Sequence, residues 1–97
     1  MLNIIDFKKH INTYDGYLAE DFISKVIGVR KYHLKNVVNR LMKKGIITGN
    51  SIVPLKIKNS DNYERGFELI DVMIIFGKYR NPKSFEALKL CKELLHV

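Results

Sequence analysis

Ninety-seven residues with 46% apolar and 28% charged side chains suit one small globular domain spanning 1–97, and a lone cysteine, Cys91, excludes an internal disulfide framework and predicts a free, packed thiol. The longest apolar run, Val72-Met73-Ile74-Ile75-Phe76, is far short of the roughly 20 residues that cross a bilayer, and Met1-Leu2-Asn3-Ile4-Ile5-Asp6 lacks a secretory pattern, so an intracellular (cytoplasmic) address is expected. The net charge of +7 is segregated: between Phe22 and Lys58 stand nine Lys or Arg and no acid, leaving eight basic residues to meet all ten acidic ones elsewhere, which is the footprint of a polyanion-facing surface.

The first helix is predicted over about 4–13, since Ile4, Phe7 and Ile11 recur at helical spacing behind Asn3 as N-cap. Asp15-Gly16 reads as a turn. A second helix follows from Leu18, with Phe22 and Val26 one and two turns on and Ala19, Ile23 and Ile27 beside them, stopping at Gly28. Glu20 and Asp21 fall in its first turn, where the helix dipole favours acids. A third helix starts near Arg30 or Lys31, buries Leu34, Val37, Val38 and Leu41, and ends at Gly45.

The period then changes. Ile46-Ile47-Thr48 reads as a very short strand, Gly49-Asn50 as a turn, and Val53, Leu55 and Ile57 alternate with Pro54, Lys56 and Lys58 as a second strand. Pro54 argues for an edge position. After the turn cluster Asn59-Ser60-Asp61-Asn62, the β-branched and aromatic segment Phe67 to Phe76 is read as the returning strand of a hairpin over about 51–76. Asn81-Pro82 opens a last helix, about 82–96, with Phe85, Leu88, Cys91 and Leu95 on one face. The expected class is α+β, in the order α-α-α-β-β-β-α.

Two helices that cross through a tight turn need a small residue where they touch, a glycine in the turn and apolar residues that lock them together. Ser24, Gly28 and the set Ile23, Ile27, Val29, Leu34 and Val37 supply these over about 18–44. This spacing resembles the helix-turn-helix of bacterial and archaeal transcription regulators. Arg40-Leu41-Met42-Lys43-Lys44-Gly45-Ile46-Ile47 is similar to the "RLxxKGII" end of many winged-helix regulators. Over about residues 18 to 58 the chain therefore resembles a winged helix-turn-helix, in general likeness a small archaeal, viral or plasmid regulator. It departs from that pattern in having Ser24 where Ala is usual and Arg30 where Ser or Thr caps the recognition helix.

The resemblance implies a helix of about 31–44 in the major groove of duplex DNA and a wing on the backbone or minor groove. Helical geometry turns Tyr32, Lys35, Asn36, Asn39 and Lys43 outward. Asn36 and Asn39 are suited to bidentate reading of adenine and Lys35 to guanine acceptors. Arg30, Lys31 and Tyr32 begin the helix, Arg40 and Lys44 flank it towards phosphates, and Lys56, Lys58 and Arg65 arm the hairpin.

The function these features predict is sequence-specific DNA binding by a homodimeric regulator, the terminal amphipathic helix being one candidate for its interface. The alternative is an adaptor that uses the same fold to bind a protein in a transcription or replication complex. His10, His33 and His96 lie too far apart for a metal motif, and no phosphate loop or nucleophile with a His and acid partner is evident. The chain is thus expected not to be an enzyme, and to need no metal, cofactor or small-molecule substrate. Glu64, Glu68 and Asp71 read as strand or turn residues.

Overall fold

Phe7, completely buried, is the point at which the first helix, α1 (Ile4–Thr13), enters the core. The computed structural model describes residues 4–95; the expected cap Asn3 and the end of the last helix, His96, lie outside them. Asp15 and Gly16, both at positive φ, then reverse the chain.

The chain leaves this turn extended. Tyr17–Ala19 form a strand, β1, and α2 begins only at Glu20 and runs to Ile27, so the second helix starts later than Leu18. Leu18 misleads because it lies four residues before Phe22, a helical interval, while its extended backbone is fixed by a partner far along the chain: Leu18 pairs with Phe67 and Ala19 with Gly66. Helix α3 spans Lys31–Lys43. Strands β2 (Val53–Lys56) and β3 (Tyr63–Glu68) form an antiparallel hairpin in the register Val53 to Gly66 and Lys56 to Tyr63. Two helices close the chain, α4 (Leu69–Tyr79) and α5 (Pro82–Leu95). The class is α+β, with five α-helices and one three-stranded antiparallel sheet among the described residues, in the order β1-β3-β2.

Three further expectations are corrected. Ile46-Ile47-Thr48 is not a strand: the amides of Ile46 and Ile47 both reach back to the Leu41 carbonyl, so they complete the end of α3 instead of donating to a sheet. Nor do Leu69–Phe76 continue the hairpin, which spans 53–68 instead of 51–76. Leu69, Val72, Ile75, Phe76 and Tyr79 recur at helical spacing and turn inward, with Asp71 in the favourable first turn. The helix is disguised because the half-buried Met73 and Ile74 and the exposed Ile70 fill the positions between its buried residues, and a continuous apolar run carries no visible period. The order is therefore α-β-α-α-β-β-α-α.

In α5 the inward residues are Ser84, Ala87 and Cys91, with Leu88 half-buried, whereas Phe85 and Leu95 are 55% and 49% exposed. The start of this helix is as predicted. Asn81 Oδ1 accepts from the Ser84 amide at 2.8 Å and Ser84 Oγ accepts from the Asn81 amide at 2.9 Å, a reciprocal cap with Pro82 at the first helical position. Burial pushes the Cys91 thiol up to about 12, so it stays protonated and packed at neutral pH. The core gathers Phe7, Leu18, Ile23, Ile27, Leu34, Val38, Phe67, Val72, Ile75 and Phe76 from helices and sheet alike. Pro54 lies on the edge strand β2, as its missing donor requires.

His10 joins α1 to the sheet. Its Nε2 accepts the Ala19 amide at 3.0 Å and its ring stacks on Phe22 with centroids 3.8 Å apart. Burial lowers its pKa from 6.5 to about 4, against a weaker upward pull from the Glu64 charge. The unfolded chain takes up this proton below about 6.5 and the folded one only near 4, so the contribution is present above 6.5 and is lost as pH falls through that window. Thermal melts should show a falling Tm between pH 7 and pH 5, and His10→Gln, which keeps an acceptor but does not titrate, should flatten that slope. An unchanged slope would show that His10 does not govern it.

Candidate nucleic-acid interface

The α2-turn-α3 unit is built by two matching helix ends. At Gly28 (φ 69°, ψ 34°) the Val29 amide bonds the Ser24 carbonyl at 3.0 Å and the Gly28 amide that of Lys25 at 3.3 Å, the left-handed closure that glycine adopts without strain. At Gly45 (φ 74°) Ile46 and Gly45 bond Leu41 and Met42 in the same way. Ser24, expected at the helix crossing, is buried and spends its hydroxyl on the Asp21 carbonyl at 2.7 Å. Ile23, Ile27 and Leu34 are buried, and Val29 and Val37 pack half-buried against them. Arg30, in the N-cap position of α3, makes no side-chain cap bond, as the absence of Ser or Thr there predicts.

Leu34, Val38 and Leu41 anchor α3 and divide its exposed surface. Lys31, Lys35 and Asn39, at successive four-residue steps, line a groove whose other wall is Tyr63, Glu64 and Arg65 of β3. Tyr32, Asn36, Lys43 and Lys44 are exposed, Tyr32 by 63%. On the far flank His33 Nδ1 lies 3.1 Å from the Tyr79 hydroxyl, and the Arg40 charge acts on the same hydroxyl, whose pKa burial raises.

Lys56 is exposed at the end of β2, opposite in alternation to the half-buried Leu55 and Ile57. Lys58 lies past the strand, in the turn. Its side chain is exposed and its amide donates to the Tyr14 hydroxyl at 3.3 Å, which ties the hairpin to α1. The turn closes through Ile57 and Asn62 at 3.1 Å, with Asn59 at φ 62°.

Arg65 departs most from its expected role. It is half-buried, its Nη2 donates to the buried carboxylate of Glu20, and its Nη1 donates to Asn39 Oδ1 at 2.9 Å. Its guanidinium also lies 5.8 Å from the Phe67 ring centroid, and its Nε is buried without a hydrogen-bond partner. Arg65 therefore belongs to the framework, not to the free basic face. Beside it, Glu64 Oε1 accepts the Asp21 amide at 2.8 Å, capping α2 from the sheet, and Oε2 lies 3.5 Å from Lys31 Nζ.

Of the nine basic residues in the acid-free stretch, Lys25 pairs with Asp21 at 3.0 Å and Lys31 with Glu64. The other seven, Arg30, Lys35, Arg40, Lys43, Lys44, Lys56 and Lys58, have no carboxylate within 4.0 Å among the described residues. Glu20, Glu64 and Tyr63 carry no sequence signature that marks them for this face, save that Tyr63 is an aromatic directly after a turn cluster and is 65% exposed here. Among the described residues no three His, Cys, Asp or Glu side chains converge in a manner that could hold a metal ion, and no helix is long and apolar enough to cross a membrane.

Comparison of the chain with protein-family models, with curated proteins and with solved structures gives no match.

Removing Glu20 leaves the half-buried Arg65 guanidinium without its carboxylate, so Glu20→Ala should cost about 2 kcal/mol in urea unfolding. The double variant Glu20→Leu with Arg65→Met, which removes both charges, should recover most of that loss. Equal destabilisation by the single and double variants would contradict the pairing.

Proposed function

We propose that this chain is a non-enzymatic winged-helix protein that binds duplex DNA in a sequence-dependent way, as a homodimeric transcription regulator. In this reading α3 enters the major groove and the β2–β3 hairpin lies along the backbone or minor groove. The observation that carries it is the set of seven basic side chains without carboxylate partners on α3, its ends and the adjoining hairpin. A surface kept positive for solubility would interleave acids. Here the acids that line the groove beside α3, Glu20 and Glu64, are turned to Arg65, to the Asp21 amide and to Lys31.

The fold supports the same reading. Two helices joined through the Gly28 turn, with an antiparallel hairpin on a sheet ordered β1-β3-β2 beside the second of them, support the winged-helix reading. Asn36 reads bases, Arg40 and Lys44 meet phosphates, and Lys56 and Lys58 hold the backbone beside the reading helix. The dimer uses apolar surface on the two terminal helices, where Ile70 of α4 and Phe85 of α5 are 62% and 55% exposed.

With some six phosphate contacts, log affinity for duplex DNA should fall against log salt with a slope of about −5. A flat dependence would remove the duplex reading and favour a protein-binding adaptor. Asn36→Ala should relax preference at one base pair by about 1 to 3 kcal/mol, whereas Lys56→Ala should weaken all sequences alike, as competition titrations against base-substituted duplexes would show. Sedimentation at micromolar concentration should give a dimer that Ile70→Glu or Phe85→Glu dissociates. A wild-type monomer both with and without DNA would exclude the symmetric arrangement.

A further inference from the structure

We infer that Lys83 of α5 is a contact to the DNA backbone, a cation that the fold brings to the start of α3 from outside the helix-turn-helix. The inference rests on the duplex-binding reading above and extends its surface to a helix that the reading assigns only to the dimer.

Along the chain nothing links Lys83 to α3. In the fold α5 packs on α2, and the Lys83 ammonium nitrogen comes to 3.0 Å from the point that a Cβ on Gly28 would occupy, with Cδ of its stem at 3.4 Å. The side chain is therefore laid over the turn between α2 and α3, two residues before Arg30. It fills space that the glycine leaves open.

Nothing neutralises the charge there. Lys83 is exposed and has no carboxylate within 4.0 Å among the described residues. The carbonyls of Ser24 and Lys25 at this turn are already met by the Val29 and Gly28 amides, so the ammonium is not needed as a cap. The negative end of α2 draws it to the turn but, as a partial charge, does not cancel it. Its own helix opposes it: α5 has no acid in its first turn, and the positive end of a helix disfavours a cation. A lysine placed in this way is left available to an outside anion.

When a reading helix enters the major groove by its first residues and the helix before it crosses the backbone, the turn between them lies at the rim of the groove, beside phosphate. Lys83 and Arg30 stand at that turn, and Lys43 and Lys44 at the opposite end of α3, so both ends of the helix carry unpaired cations. A phosphate contact carries no sequence information, so Lys83 contributes affinity and register, not base choice. Lys83 and Phe85 lie about 200° apart around α5, which puts the backbone contact and the proposed dimer surface on opposite sides of one helix.

The test is salt titration of duplex binding by wild type, Lys83→Met, Lys83→Arg and Lys89→Met, each checked for folding by circular dichroism. Methionine keeps an apolar stem over Gly28 and removes the charge. Lys89, exposed one turn beyond Phe85, serves as the control on the other side of α5. Lys83→Met should bring the slope of log affinity against log salt from about −5 to about −4 and weaken all duplexes alike, while the other two variants keep the wild-type slope. A wild-type slope in Lys83→Met, or an equal loss in Lys83→Arg or Lys89→Met, would overturn the inference and leave duplex binding intact. Should Lys83→Met not fold, amine labelling of the unaltered protein with acetic anhydride decides: duplex should shield Lys83 and leave Lys89 reacting as in the free protein, and undiminished reaction of Lys83 would overturn the inference. A flat salt dependence in wild type would instead bring down the duplex reading itself.

Discussion

The bond from Arg65 to Glu20 is the constraint on which the arrangement of this molecule turns. β3 is the central strand of the sheet, and a guanidinium on it reaches the first residue of α2 and the middle of α3 at once. One side chain thereby fixes the sheet relative to both helices. A buried carboxylate and a half-buried guanidinium are costly unless each is well partnered. Glu20 is partnered by Arg65, and Arg65 by Glu20, Asn39 and the face of Phe67, with only its Nε unsatisfied. Glu64, one residue away, adds a second tie by capping the amide of Asp21, which compensates for the missing side-chain cap at Ala19.

This use of the acids shapes the electrostatics. Glu20, Asp21 and Glu64 stand beside the basic stretch, yet each is occupied by a framework group or a single neighbouring lysine. The remaining positive side chains of the stretch are exposed with no carboxylate within 4.0 Å among the described residues, so their fields add. That summation is the physical ground for proposing a polyanion partner. The helix presenting the charges is held by Leu34, Val38 and Leu41 below it and by the glycine-closed turns at both ends.

Much of the α-helical framework was legible in the sequence because it depends on local rules. The span of α1, the stop at Gly28, the span of α3, the closure at Gly45 and the Asn81-Pro82 start of α5 each follow from spacing and capping within a few residues. Pro54 on an edge strand is legible for the same reason. β1 was not, because three residues carry no period and their conformation comes from pairing with β3. α4 was not, because Ile70, Met73 and Ile74 between its buried positions are apolar as well and erase the period. Spacing alone groups Phe85 and Leu95 with Cys91, yet α5 turns Ser84, Ala87 and Cys91 to the core instead, so that small side chains allow close approach.

By itself the sequence determined where positive charge collects, that a glycine-centred two-helix unit lies inside that region, and which residues of α3 face out, since composition and helical period act along the chain. Tertiary structure alone decided what each charge and amide is free to do. Arg65 and Asn39 are distant in sequence and look equally available, but the folding of β3 against α3 joins them and commits the oxygen of one to the guanidinium of the other. Hydrogen-bond availability depends on which groups meet in space, and that is a property of packing which no local pattern encodes.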